Sequence, residues 1–318
     1  MSSSRPEPEA TSASTDQPQA YLFDTSCFMS LAFKQVHQTA LRMLSGSVNA
    51  CALTALELVA DHPNFTRRKR AAQAIASVCR SVYCETTESI IKAAFGMPQP
   101  AKPSFDAFGI LRALLLADSS AAMERGVYDP EYNCVRTVRP KEIRRIKTTR
   151  DRQDREMFSG WANATRAHVR DYVAEHESNL EGDTRSKRVL ELKGKYSLMP
   201  QVALAVLLRL ATLAGVCTTD EVARKVEADD TSGLIRQVAA VYDGSLDCFI
   251  TMFQAYRRFL ELGGAPTRND TFDLEFFLYL DAGGRRLTFV TKERKWIDLA
   301  NEVMPGRVVH LEALVGAA

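Results

Sequence analysis

Short apolar runs alternate with helix-spaced apolar residues near the N-terminus, and the same rhythm returns at the C-terminus. Tyr21-Leu22-Phe23 ends in Asp24 and reads as a strand. Phe28, Leu31, Ala32, Val36, Ala40 and Leu44 recur at helical spacing, so one helix is expected over 28–44, stopped by Gly46. The run 48–53 reads as a second strand. Thr54 then opens a helix that carries Glu57, with Pro63 breaking it. A helix over 67–80, a strand over 82–84 and a helix to Phe95 follow. Near the other end, the pattern predicts a helix over 273–280, a strand over 286–290, a helix over 296–303 and a strand over 308–311. This order of elements argues for a parallel sheet with helices on its faces.

Between the two ends the pattern is different. The Pro-rich stretch 96–104 interrupts it, and helical spacing then dominates. Helices are expected over 108–122, 154–177, 200–214, 219–226 and 233–262. Gly263-Gly264-Ala265-Pro266 closes this part. The two ends therefore read as halves of one α/β domain, residues 20–95 and 265–318, with a mostly helical insertion, 96–264, between them. Residues 1–19 are rich in Ser, Pro, Glu and Thr and nearly lack apolar residues, so a disordered tail is expected there.

Composition narrows the class only a little. A chain of 318 residues can bury a large core. Seven scattered cysteines without a Cys-x-x-Cys pair suggest neither a disulfide framework nor a zinc site. They read as reduced thiols, which points to the cytoplasm. The longest apolar stretch, Val202 to Cys217, contains Arg209 and is too short for a membrane span. The net charge of +2 means that any basic surface must be local.

Candidate chemistry lies in acidic residues split between the two ends. Asp24 follows the first strand and Glu57 sits just after the second. Asp270 and Asp273 lie at a helix start, and Glu293 follows the strand that ends at Val290. In parallel sheets, sites form at the carboxyl ends of strands. Carboxylates gathered there repel one another unless a cation joins them. Mg²⁺ or Mn²⁺ suits an all-oxygen set, and a metal-bound water can attack phosphorus. The chemistry this suggests is phosphodiester hydrolysis.

The order of these motifs resembles the PIN-domain nucleases. The resemblance rests on Asp24-Thr25-Ser26, Leu53-Thr54-Ala55-Leu56-Glu57-Leu58, Asn269-Asp270-Thr271-Phe272-Asp273-Leu274 and Val290-Thr291-Lys292-Glu293. It covers residues 20–95 and 265–318. It implies a PIN-like three-layer α/β/α domain that cuts RNA with Mg²⁺ or Mn²⁺ held by three or four acids. Asp24, Glu57 and Asp273 match the family's positions, with Asp270 an auxiliary ligand or the true match. Glu293 stands where the family usually has Asp, a departure that implies weakened activity or a scaffold without catalysis. A related structure-specific DNA nuclease is a further alternative. Thr25, Ser26 and Thr291 are expected to hydrogen-bond the ligands or phosphate.

Each acid also has a plainer reading. Thr54-x-x-Glu57 fits a capping box, Asn269 or Asp270 fits a helix cap, and Asp273 suits the positive end of a helix. Two basic stretches complete the picture. Residues 136–155 hold nine Arg or Lys, among them Arg144, Arg145 and Lys147, against three acids, and are candidates for contact with the RNA backbone. Arg67-Arg68-Lys69-Arg70 fits a solvated helix face better. The insertion is also the expected place for a protein partner or a second copy of the chain.

Overall fold

The structure is a computed structural model that describes residues 19–32, 34–43, 48–60, 64–99, 106–128, 166–228, 230–267 and 269–317, with isolated positions between 152 and 163. The expected disordered tail, apart from Gln19, and Arg144, Arg145 and Lys147 lie outside the described residues. Gln19, just before β1, donates its side-chain amide to Thr288 Oγ1 at 3.3 Å.

Five strands form one all-parallel sheet: β1 (Ala20–Phe23), β2 (Val48–Cys51), β3 (Ser81–Tyr83), β4 (Leu287–Thr291) and β5 (Val308–His310). Their order is β3-β2-β1-β4-β5. The chain moves outward from β1 to β3, then returns to place β4 on the other side of β1. Tyr21, Leu22 and Phe23 pair with Thr288, Phe289 and Val290. The N-terminal and C-terminal halves thus meet along the two central strands.

Side chains alternate across the sheet, and both faces are covered. Tyr21, Phe23, Val48, Ala50 and Val290 face one core. That core is closed by α1 (Thr25–Leu31), α2 (Gln35–Met43), α3 (Ala52–Ala60) and α4 (Phe65–Val78). Helices α6 (Ala107–Leu116) and α7 (Ser120–Tyr128) join the same layer, as does α16 (Leu311–Ala317). Leu22, Cys51, Leu287, Phe289 and Val308 face the other core. Its cover is α5 (Thr87–Ala94), α10 (Pro200–Ala214), α12 (Ser232–Val241), α13 (Asp247–Glu261) and α15 (Arg294–Val303). Helices of the central segment therefore pack on both faces of the sheet and share its two cores. Fully buried Phe276, Phe277, Phe289 and Trp296 cluster beneath the second layer. Burial of each such side chain contributes about 1.5–3 kcal/mol.

Two elements lie outside both cores. Helical residues 166–176 (α8) and α9 (Gly182–Ser197) form an antiparallel-style pair whose second member packs on α13. Helix α11 (Thr219–Glu227) follows α10, and α14 (Asp270–Glu275) precedes a 3-10 turn over Phe276–Tyr279.

Several expected elements are divided or displaced. The helix over 28–44 is α1 and α2, interrupted after Leu31. The one over 108–122 is α6 and α7, parted at Ala117, whose backbone is extended. The one over 233–262 is α12 and α13, because Gly244 takes φ +84°, which side-chain-bearing residues rarely adopt. The second strand stops at Cys51, and α3 begins at Ala52 rather than Thr54. Helices α9 and α16 were not expected. Among the described residues no single helix is long and apolar enough to cross a membrane, although α9 and α10, bent by 44°, pass that test as a pair.

Candidate active site

Strands β1 and β4 lie where the order of the sheet reverses. The loops that leave their carboxyl ends diverge, and such a point opens a crevice in parallel α/β sheets. Asp24 follows β1 immediately and caps α1, its Oδ1 accepting from Ser26 N–H at 3.2 Å. Its Oδ2 accepts from Ser26 Oγ at 2.6 Å and from Thr291 Oγ1 at 3.0 Å. Thr291 ends β4, so this last bond crosses the reversal point. The same Thr291 oxygen accepts from the Glu293 N–H at 3.1 Å.

Glu57 lies in the middle of α3 and is buried. Its Oε2 accepts from Thr25 Oγ1 at 2.5 Å. The capping-box alternative fails, since α3 starts two residues before Thr54. Thr54 instead lies beside Cys51, with its Oγ1 3.8 Å from the sulfur. Glu57 is thus turned toward the loop after β1 and not toward its own helix start.

Asp273 and Asp270 separate clearly. Asp273 is buried in the first turn of α14 and accepts from the indole N–H of Trp296 at 3.2 Å. Burial raises its pKa well above the ordinary 3.8, and the nearby charges of Asp24, Glu293 and Glu57 add to that rise. Burial also raises Asp24, against the hydrogen bonds from Ser26 and Thr291. Glu293, half-buried, is raised by burial and then by Asp24, while Lys295 and the Trp296 indole act the other way. Four carboxylates from both ends of the chain therefore feel one another at one rim.

Asp270 is held elsewhere. Its Oδ2 accepts from Tyr256 OH at 2.6 Å and from Thr267 N–H at 2.8 Å. Its Oδ1 takes Thr267 Oγ1 and the ammonium of Lys295. With these partners Asp270 is a tie between α13, α14 and α15, and it forms the back wall of the rim rather than a ligand-ready group.

Sequence reasoning did not single out Trp296, Lys295 or Tyr256. Lys295 lies 4.5 Å from the Trp296 ring centroid, so one cation braces both the indole and Asp270. The visible signal was Glu293-x-x-Trp296, a spacing that places both on one side of a helix start. Thr25 donates to Glu57, and Ser26 and Thr291 donate to Asp24. Arg68 and Lys69 are structural: Arg68 is buried and donates to Val59 O and Ser120 Oγ, each at 3.4 Å. Lys69 donates to Ala117 O at 2.5 Å.

The donor chemistry, four carboxylates and no nitrogen or sulfur, is that of a hard divalent cation. Among the described residues, no group of three or more His, Cys, Asp or Glu side chains is arranged to hold a metal ion as it stands. Serine, threonine and tryptophan donors occupy oxygens of Asp24, Glu57 and Asp273. No protein-family model, curated protein or solved structure matches this chain.

Proposed function

We propose that this rim is the active site of a divalent-metal-dependent endoribonuclease of the PIN-like class. What supports the reading is one observation: at the carboxyl end of a parallel sheet, Asp273 is raised first by burial and then by the charges of Asp24, Glu293 and Glu57, which come from opposite ends of the chain. Like charges are kept this close at a cost to stability, and a cation offsets it. Mg²⁺ or Mn²⁺ would be held by these four groups, directly or through water, since Mg²⁺ commonly uses only one or two carboxylates. Bound there, the ion supplies a more acidic water and stabilises charge on phosphoryl oxygens. The chain supplies the rest. Thr25 and Ser26 aim Glu57 and Asp24, Thr291 ties Asp24 to the loop of Glu293, and Trp296 orients Asp273. Burial and the neighbouring acids favour the protonated form of Asp273, and a cation held at the rim would favour loss of that proton.

Purified protein incubated with end-labelled single-stranded RNA and Mn²⁺ tests this. Cleavage is expected, and Asp24→Asn should slow it by about 100-fold or more while the fold is kept. Equal rates would remove Asp24 from the site. The same assay with DNA of matching sequence decides between a ribonuclease and a structure-specific DNA nuclease.

A second reading, a PIN-like scaffold without catalysis, is favoured by Glu293 in place of Asp and by the protein donors already on three of the acids. Melting curves across a Mn²⁺ titration separate the two. A site that binds the ion gains stability with concentration, and a scaffold shows no shift.

A further inference from the structure

We propose that the cleft between α8 and α9 binds the sugar-phosphate backbone of a single-stranded nucleic acid. The cleft is about 370 Å³ and is lined by Arg166, Arg170, Arg185, Ser186 and Lys193, with no acidic side chain among its lining residues. Arg166 and Arg170, four apart, share one side of α8, and Arg185 faces them from α9. All three arginines are exposed. Among the described residues none of the three has a carboxylate partner.

The contrast with the neighbouring arginine is informative. Arg188, one turn along α9, is neutralised by Glu177 at 2.9 Å and Glu191 at 3.0 Å. Where this helix pair uses an arginine for its own architecture, it supplies acids. In the cleft it does not, and three like charges are held together without compensation. Lys193 is spoken for: it is buried and donates to the Glu261 carbonyl at 2.6 Å. The binding charge is therefore the three guanidiniums, whose planar forks suit phosphate oxygens. Ser186 adds a hydroxyl donor between them.

The cleft is also linked to the acidic rim. Lys193 fixes α9 to Glu261 of α13, and Tyr256 of the same helix holds Asp270 behind the rim. Five residues of helix, about 7.5 Å, separate the two attachments. The choice of a nucleic acid among polyanions rests on the nuclease reading of the rim. A strand held in the cleft and cut at the rim would give the rim a substrate that its own negative charge repels.

The experiment is fluorescence anisotropy of a labelled single-stranded RNA with the full chain, in EDTA, across a salt series. Wild-type affinity should fall as salt rises. The triple variant R166Q/R170Q/R185Q should lose about 10-fold or more in affinity and flatten the salt slope by roughly 2. Lys187→Gln, one charge outside the cleft, should change affinity by less than about twofold, and unchanged melting curves verify folding. The proposal is overturned if the triple variant binds like wild type, if Lys187→Gln loses as much as the triple, or if polyglutamate competes as well as RNA. Cleft-dependent binding without any cleavage would sink the nuclease reading alone. Cleavage with cleft-independent binding would sink this one alone.

Discussion

Trp296 donates its indole N–H to Oδ2 of Asp273 at 3.2 Å. That bond joins the helix after β4 to the acid that arrives from the far end of the helical segment. Trp296→Phe removes the donor, along with part of a buried ring that packs on Tyr256 and Phe277. Mn²⁺ affinity, measured by calorimetry, is expected to fall about 10-fold. Unchanged affinity would show that Asp273 needs no such orientation.

Asp270 offers the opposite test. It is buried with Tyr256, Thr267 and Lys295 around it. Asp270→Ala should cost about 3–5 kcal/mol in denaturant unfolding, as expected for breaking a buried ion pair. Tyr256→Phe, which removes one donor, should cost about 1–2 kcal/mol. Asp270→Asn, which keeps an acceptor, should bind Mn²⁺ with near wild-type affinity. A Mn²⁺ affinity lost in Asp270→Asn would make Asp270 a ligand after all.

Asp273 departs from the usual behaviour of a paired carboxylate. Its pKa in the fold lies well above the ordinary 3.8, chiefly through burial and then through its acidic neighbours. The folded chain keeps that proton over a pH range in which the unfolded chain has lost it. This contribution to stability is fully present below about pH 4 and is lost as pH rises through the raised value. Asp273→Asn stays neutral and still accepts from Trp296. Without divalent ions at pH 7 it should be more stable than wild type, with the gap closing below pH 4. A variant that melts earlier than wild type at pH 7 contradicts this.

Thr291 serves two bonds with one hydroxyl, to Asp24 and from the Glu293 N–H. Thr291→Val keeps the shape and loses both, at a cost of about 1–2 kcal/mol in urea unfolding. Thr291→Ser should restore most of it. A loss in Ser as large as in Val would show that the methyl group matters as much as the hydroxyl.

The strands were readable because each is a short apolar run closed by a polar or turn residue, as in Tyr21 to Asp24. Helix divisions were less so. The apolar spacing from Phe28 to Leu44 runs straight through the break after Leu31, since both helices contribute to the same core. Helix α9 escaped notice because its buried side consists of Lys193, Gly194 and Ser197, which form no apolar stripe. At the site, Asp24 and Glu57 were legible from their positions after strands. Asp270 and Asp273 were not separable, because both begin the same helix. What distinguishes them is Tyr256, 14 residues earlier, and Lys295, 25 residues later. Such partners are set by the packing of α13 and α15, which no local pattern encodes.

The pairing of β1 with β4 has a consequence for how the chain is made. Asp24 and Thr291 are 267 residues apart. At ribosomal speeds, roughly 15–50 s pass between the synthesis of one and of the other. During that interval β1 has β2 on one side and nothing on the other, and the acids of the first half stand without Asp273 and Glu293. A nascent chain therefore carries half of the rim until the segment with Asp273 and Glu293 has been made.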